Sequence, residues 1–181
     1  KDRQEKERQE KATKWTETQA KEIVYLGEGV SKGLNQTESN TSKLQGHNLP
    51  QFENALALAE AMNIDLAKLR FFAYNRKISK VSHYKRFQVP KKSGGQRQIS
   101  APMPRLKALQ YWILENILYK ITLHEKAHGF VPEKSILSNA APHVGSDVVI
   151  NLDMKDFFPS IALHRVKGLF KAMGYSEQIA T

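Results

Sequence analysis

Val148-Val149-Ile150-Asn151-Leu152 is an almost wholly apolar run that ends on an acid, Asp153. Such a run reads as a short buried strand, one that the rest of the chain must cover. The strand delivers Asp153 at its end, and a carboxylate held on a rigid element is well placed for metal-dependent chemistry. A second acid, Asp156, follows in the same segment. A strand-end Asp is also a common helix cap or turn residue, so the acid by itself does not decide between the two readings.

The chain has 181 residues, 40% of them hydrophobic, which suits one or two domains with a packed core. It begins at Lys1 rather than Met, and is expected to be part of a longer product. Cysteine is absent, which excludes disulfides, thiolate zinc sites and cysteine nucleophiles and fits a reducing cytoplasm. There is no run of about 20 apolar residues to span a membrane, and the charged N-terminus lacks the apolar core of a signal peptide.

The net charge of +10 is concentrated. Residues 68–134 hold 15 Lys and Arg against three acids, Glu115, Glu125 and Glu133. With Tyr74, Tyr84, Phe87, Tyr111 and Trp112 interspersed, this block suits a nucleic-acid backbone, although a solvated basic surface would look the same from charge alone.

Residues 1–22 lack Gly and Pro and favour a solvated helix, with opposite charges at helical spacing in the pairs Asp2–Lys6 and Glu7–Lys11. Residues 27–50 are rich in Gly, Ser, Thr and Asn and read as loop with short turns. Gly27 and Gly29 lack the strand–helix frame of a dinucleotide fingerprint. A helix is expected over 51–62, and a second over Leu66–Tyr74 with Asp65 as its cap. The pair resembles a helix–turn–helix, but Ala and Leu at these spacings are more often core than DNA readers. Tyr84–Pro90 alternates like a strand with Phe87 and Val89 on one face, SGG at 93–95 is a turn, and Arg97–Ser100 is the return strand, ended by Pro102 and Pro104. Leu106–Leu118 is amphipathic, with Leu106, Leu109, Ile113, Ile117 and Leu118 near one face. Arg165–Met173 is a further helix, closed by Gly174.

Nucleotide polymerisation uses carboxylates to hold two Mg²⁺ ions, one activating the primer hydroxyl and the other neutralising the triphosphate and leaving group. The run NLDMKDFFPSI, residues 151–161, resembles the first palm motif of reverse transcriptases, especially those of bacterial retrons and group II introns. The resemblance implies that Asp153 contacts both metals and that the Met154 main-chain carbonyl lies beside one. It implies that Phe158 packs under the sugar of the incoming nucleotide, where a bulky ring would collide with a 2′-hydroxyl. Asp156 matches a position near the triphosphate. For Phe157 and Phe158 the competing reading is core packing, and one of the two is expected to be core.

The hairpin VPKKSGGQRQISAP, residues 89–102, resembles the fingers hairpin of the same enzymes. Alone it is a basic hairpin whose Lys91, Lys92 and Arg97 could cover a polyanion. The match places Arg97 on the triphosphate and makes Lys91 the better lysine partner. Gln110, within 106–118, belongs to another matching block. HGFVPEKSILSNAAPH, residues 128–143, resembles the next fingers–palm block, and Asn139-Ala140-Ala141-Pro142-His143 fits the N-A-x-x-H signature of retron enzymes. The resemblance implies template-RNA recognition there, through Asn139 and His143 with Lys92 as a further contact. A loop with local hydrogen bonds is the plainer reading.

His124-Glu125-Lys126-Ala127-His128 satisfies the H-E-x-x-H pattern of zinc proteases. On a helix the two histidines would share a face. Gly129 and Pro132 follow too closely for such a helix, there is no third ligand at a recognisable spacing, and Lys126 adds positive charge. These features disfavour zinc hydrolysis, since short patterns recur by chance.

The resemblance covers roughly residues 65–181 and implies an α/β (α+β) right-hand polymerase, represented by its fingers and partial palm. Residues 1–75 are expected to form a helical extension with a polar loop, and 76–181 the fingers and the start of the palm. A second palm motif, usually Y-x-D-D, does not occur in the chain. The two Mg²⁺ ions would thus be held jointly with carboxylates from elsewhere, and these 181 residues alone are expected to be inactive. The implied partners are deoxynucleoside triphosphates, a noncoding template RNA primed from an internal 2′-hydroxyl, the branched RNA–DNA product, and a retron effector protein in anti-phage defence. An intron-encoded or abortive-infection reverse transcriptase, or a noncatalytic RNA-binding scaffold of the same fold, remains open at this point.

Overall fold

The computed structural model describes residues 2–75, 77–92 and 94–181. The chain mixes eight α-helices with one two-stranded antiparallel sheet among these residues, an α+β composition.

The uninterrupted N-terminal stretch forms α1, Asp2–Lys21, which is exposed along almost its whole length. Its ion pair joins Arg3 to Glu7 at 3.2 Å, and Thr13, Thr16 and Thr18 turn their hydroxyls back onto carbonyls four residues earlier. The Asp2 side chain of the expected Asp2–Lys6 pair lies outside the described residues.

The polar stretch 27–50 is more ordered than its composition implies. Beyond a series of turns it contains a short helix, α2, Thr41–Gly46, whose start is fixed by the Asn40 side chain accepting from the Lys43 N–H at 3.0 Å. The helix α3, Ala55–Ala61, starts later than expected because Asn54 caps it, accepting from the Ala57 N–H at 2.9 Å. Asp65 occupies the N-cap position of α4, Leu66–Ala73, yet its side chain makes no capping bond and pairs with Lys68 at 2.7 Å.

The hairpin follows the sequence expectation. β1, Tyr84–Pro90, pairs with β2, Gln96–Pro102, in a register that sets Phe87 opposite Ile99 and Val89 opposite Arg97. Lys91 and Gly95 close the turn with a 3.0 Å bond from the Lys91 N–H to the Gly95 carbonyl, and Gly94 and Gly95 both take positive φ. Ser93 of that turn lies outside the described residues. Pro104 opens α5, Pro104–Asn116, as proline at a first helical position can. Gln110 on α5 reaches the Tyr84 hydroxyl at 3.3 Å and ties the helix to the base of the hairpin. Three further helices complete the chain: α6, Ile136–Ala140; α7, Leu163–Met173; and α8, Glu177–Ala180.

Two apolar clusters hold these elements together. One gathers Leu44, Leu49, Phe52, Ile117, Met173 and Tyr175, with Trp112 and Phe170 packed on it. Phe52 and Tyr175 stack at 5.9 Å. Burial pushes the Tyr175 hydroxyl up to about 12, and that group donates to the Pro50 carbonyl at 3.0 Å. The other cluster joins Ile23, Leu26, Leu34 and Ala55, with Leu66 and Leu69 of α4 against it. A cavity of about 260 Å³, lined by Leu26, Ala55, Ile117, Val166 and Ile179 among others, lies where the clusters meet. The first cluster joins residues from before position 75 to later ones, and the cavity is lined from both clusters, so residues before 75 share one core with the C-terminal helices.

Val148–Leu152 departs from expectation. It is neither a strand nor buried: Ile150 is 78% exposed and Leu152 92%. A strand needs a neighbour to take its backbone hydrogen bonds, and among the described residues no strand pairs with this segment.

Candidate active site

The segment that leaves this uncovered run bends back on itself. Asp156 takes a φ of +54, a left-handed conformation that Asp tolerates better than most residues. Its carbonyl accepts from the Ser160 N–H at 3.0 Å, and the Phe158 carbonyl accepts from the Ile161 N–H at 3.1 Å. The Ser160 hydroxyl adds a bond to the Phe157 carbonyl at 2.6 Å. The result is a tight turn that presents two rings edge to face, 5.2 Å apart and inclined at 71°. Phe158 is the more open of the pair, 68% exposed against 45% for Phe157.

This turn faces the tip of the hairpin across an open cleft of about 830 Å³. Asp153, Met154, Asp156 and Phe158 line one side. Lys91, just after β1, and Arg97, near the start of β2, line the other. Six of the residues singled out from sequence therefore meet in one place although more than 50 positions separate the two groups. Among the described residues no salt bridge ties either acid to either cation, so both signs of charge remain available to the cleft.

The arrangement suits a ligand that is anionic at one end. Arg97 offers a planar donor fork and Lys91 a point charge, which together match phosphate oxygens. Carboxylate and carbonyl oxygens suit a hard divalent cation such as Mg²⁺. No group of three or more His, Cys, Asp or Glu placed to hold a metal occurs among the described residues, so Asp153 would supply only part of a coordination shell. An exposed ring beside the acids offers an apolar platform for a sugar or base.

Three candidates fall outside this lining. Lys92 belongs to a neighbouring hollow of about 480 Å³, with Val89, Pro90 and Ile99, which also touches Lys91 and Arg97. Asn139 lies in α6, and His143 in the single 3-10 turn that follows it. The start of α6 is set by reciprocal bonds between Ser135 and Ser138. Both Asn139 and His143 are exposed, and the Asn139 backbone N–H bonds to the Ser135 carbonyl at 3.0 Å.

Conversely, Gln96 and Gln98 line the cleft without having been singled out from sequence. No signal in the sequence marked them, since alternation along a strand sets both on the face opposite Arg97. The His124–His128 pattern forms a turn rather than a helix, so its histidines share no helical face. Their ring nitrogens meet main-chain atoms of Lys126 instead, at 3.2 Å and 3.0 Å.

The chain is 42% identical over 139 residues to the retron Mx162 reverse transcriptase of Myxococcus xanthus, covering 77% of this chain and 29% of that protein. It is 41% identical over 150 residues to the retron Mx65 reverse transcriptase of the same organism, covering 83% of this chain and 35% of the relative. Against the retron Ec86 reverse transcriptase of Escherichia coli the identity is 36% over 144 residues, covering 78% of this chain and 44% of the relative. The chain thus spans less than half the length of these relatives. No protein-family model matches it.

Proposed function

From a chain that belongs to the retron reverse transcriptases, we propose that the complete protein is an RNA-directed DNA polymerase whose nucleotide site is the cleft between the hairpin and the 153–159 turn. The observation that carries this reading is the meeting of Asp153, Asp156 and Phe158 with Lys91 and Arg97 around one open space.

On this reading residues 1–75 are an extension, and 76–181 are the fingers and the beginning of the palm of a right-hand polymerase. Arg97 holds the triphosphate as a bidentate clamp, and Lys91 adds a second positive charge. Phe158 packs under the sugar and rejects a 2′-hydroxyl by collision. Asp156 lies near the triphosphate. The Asp153 carboxylate and the Met154 carbonyl would hold Mg²⁺, jointly with carboxylates supplied from outside the described residues. When bound, two such ions lower the cost of deprotonating the primer hydroxyl and neutralise the leaving pyrophosphate. The chain's own contribution is to orient the nucleotide between a cationic and an anionic wall.

The template would be the protein's own structured noncoding RNA, primed from an internal 2′-hydroxyl to leave a branched RNA–DNA product. Asn139, His143 and Lys92 lie outside the cleft lining and are proposed as template contacts. A cytoplasmic role in anti-phage defence, with an effector protein, belongs to the same reading. No helix among the described residues is long and apolar enough to cross a membrane.

The test is Mg²⁺-dependent extension by the full-length protein on its RNA. Asp153→Ala is expected to lower the rate at least about a hundredfold, as loss of a principal electrostatic group does. Wild-type activity in that variant would sink the assignment.

A further inference from the structure

The polar segment before α2 has no chemistry of its own in the proposed reaction, yet it makes a dense set of directed contacts with the far end of α7. The Asn40 N–H donates to the Gly174 carbonyl at 2.7 Å, and the Ser176 N–H donates to the Ser39 hydroxyl at 3.0 Å. The Gln178 N–H donates to the Gln36 carbonyl at 3.1 Å. The Gln178 side-chain amide donates to the Leu34 carbonyl at 3.1 Å and to the Glu22 carboxylate. Gly33, at a φ of +90, lies so close to Glu177 that a Cβ there would come 2.5 Å from the Glu177 Cγ. Glu177 in turn bridges Lys167 and Lys171, one helical turn apart on α7, with its side chain only 12% exposed.

We propose that residues 33–40 position α7 by gripping its C-terminal end through Glu177, and so hold the turn at 156–161 that carries Asp156 and Phe158. The route is short. Ile161 is separated from the first residue of α7 only by Ala162, the helix N-cap. An α-helix of 11 residues is a rigid rod of about 16 Å, so fixing one end fixes where the other end begins. Gly33 supplies the room and the backbone conformation that let the loop approach Glu177, and Glu177 joins the loop to two successive turns of the helix. Glu177 and Gly33 are positioning residues: neither lines the cleft.

The consequence for the nucleotide rests on the function proposed above, whereas the grip itself does not, and the test separates the two. Amide hydrogen exchange is measured on the full-length protein without nucleotide or template, for wild type, Gly33→Ala and Glu177→Gln. The Ser160 and Ile161 amides are expected to exchange about tenfold faster in both variants, with the ladder-bonded strand amides of Phe87 and Ile99 unchanged. Glu177→Gln keeps the side-chain shape and carries the test if Gly33→Ala does not fold. In extension assays the same variants are expected to incorporate ribonucleotides several-fold more readily relative to deoxynucleotides. Faster exchange confined to residues 33–40 and 174–181, or equal acceleration everywhere, overturns the proposal. Faster exchange at Ser160 and Ile161 with unchanged sugar discrimination upholds the grip and overturns its consequence for the nucleotide. A wild-type protein that incorporates no nucleotide would overturn the polymerase reading, while exchange would still report on the grip.

Discussion

Phe158 and Glu177 show two ways a single residue acts in this chain. Phe158 projects an open ring beside two acids and touches Phe157 edge to face, with most of its surface exposed. Phe158→Ala is therefore expected to leave the fold intact and raise ribonucleotide incorporation by about tenfold or more, the order of one lost steric discrimination. Side-by-side extension with ribo- and deoxynucleotides measures it, and unchanged selectivity would refute the role. Glu177 acts through charge. Hydrogen bonds from Lys167 and then Lys171 hold its carboxyl below the ordinary 4.5, outweighing the opposing effect of burial. Its stabilising contribution is thus fully present above that ordinary value and is lost as pH falls through the lowered one. The denaturation midpoint of wild type should exceed that of Glu177→Gln at pH 7, and the gap should close on acidification below 4.5. A gap independent of pH would mean the ion pairs contribute nothing.

Among the elements, α7 shows most clearly how local sequence and distant packing combine. Its C-terminal glycine was legible, since Gly174 follows a helical pattern and takes a φ of +115. What no local pattern could reveal is that a Cβ at that position would come 2.8 Å from the Asn40 carbonyl. Gly174→Ala combines a left-handed conformation with that collision, and should cost about 2 kcal/mol or more. Thermal unfolding should fall by about 4–8 °C, and a shift under about 1 °C would contradict the geometry. The hairpin was legible for the opposite reason: alternation, turn glycines and register are all local, so Phe87 and Val89 fell on one face as expected. The run 148–152 was misread because apolar composition predicts burial only when a partner exists to provide it. α2 was missed because its start depends on one Asn40 side chain, which composition does not distinguish from a loop asparagine.

Over the whole molecule, the candidate site was more legible than the architecture. Lys91, Arg97, Asp153 and Phe158 each carry a chemical type that the proposed reaction needs, and chemistry of that kind is written in residue identity. The bonds that Ser176 and Gln178 donate to Glu22, Leu34, Gln36 and Ser39 are not, because carboxylates, main-chain carbonyls and hydroxyls recur everywhere and only the fold selects partners 137 to 156 positions away. For the same reason the boundary expected at residue 75 is crossed by the core: Leu44 and Phe52 pack with Ile117, Met173 and Tyr175. Leu44→Ala, at a position with no exposure, should cost about 2–5 kcal/mol, measured by denaturant titration. A loss below about 1 kcal/mol would mean the cluster does not join the two parts.

The uncovered run at 148–152 also bears on how the polypeptide behaves at high concentration. Val, Val, Ile and Leu around one Asn, without Pro or Gly, form a short β-prone tract whose backbone donors and acceptors are open to a second molecule. Asp147 and Asp153 flank it as charged gatekeepers, so the carboxylate proposed for metal binding would also keep chains apart. Neutralising it with Asp153→Asn should hasten thioflavin-positive aggregation of these 181 residues at neutral pH, and Ile150→Lys should reverse that effect. One acid would then serve both the proposed metal binding and, through its charge, the separation of neighbouring chains.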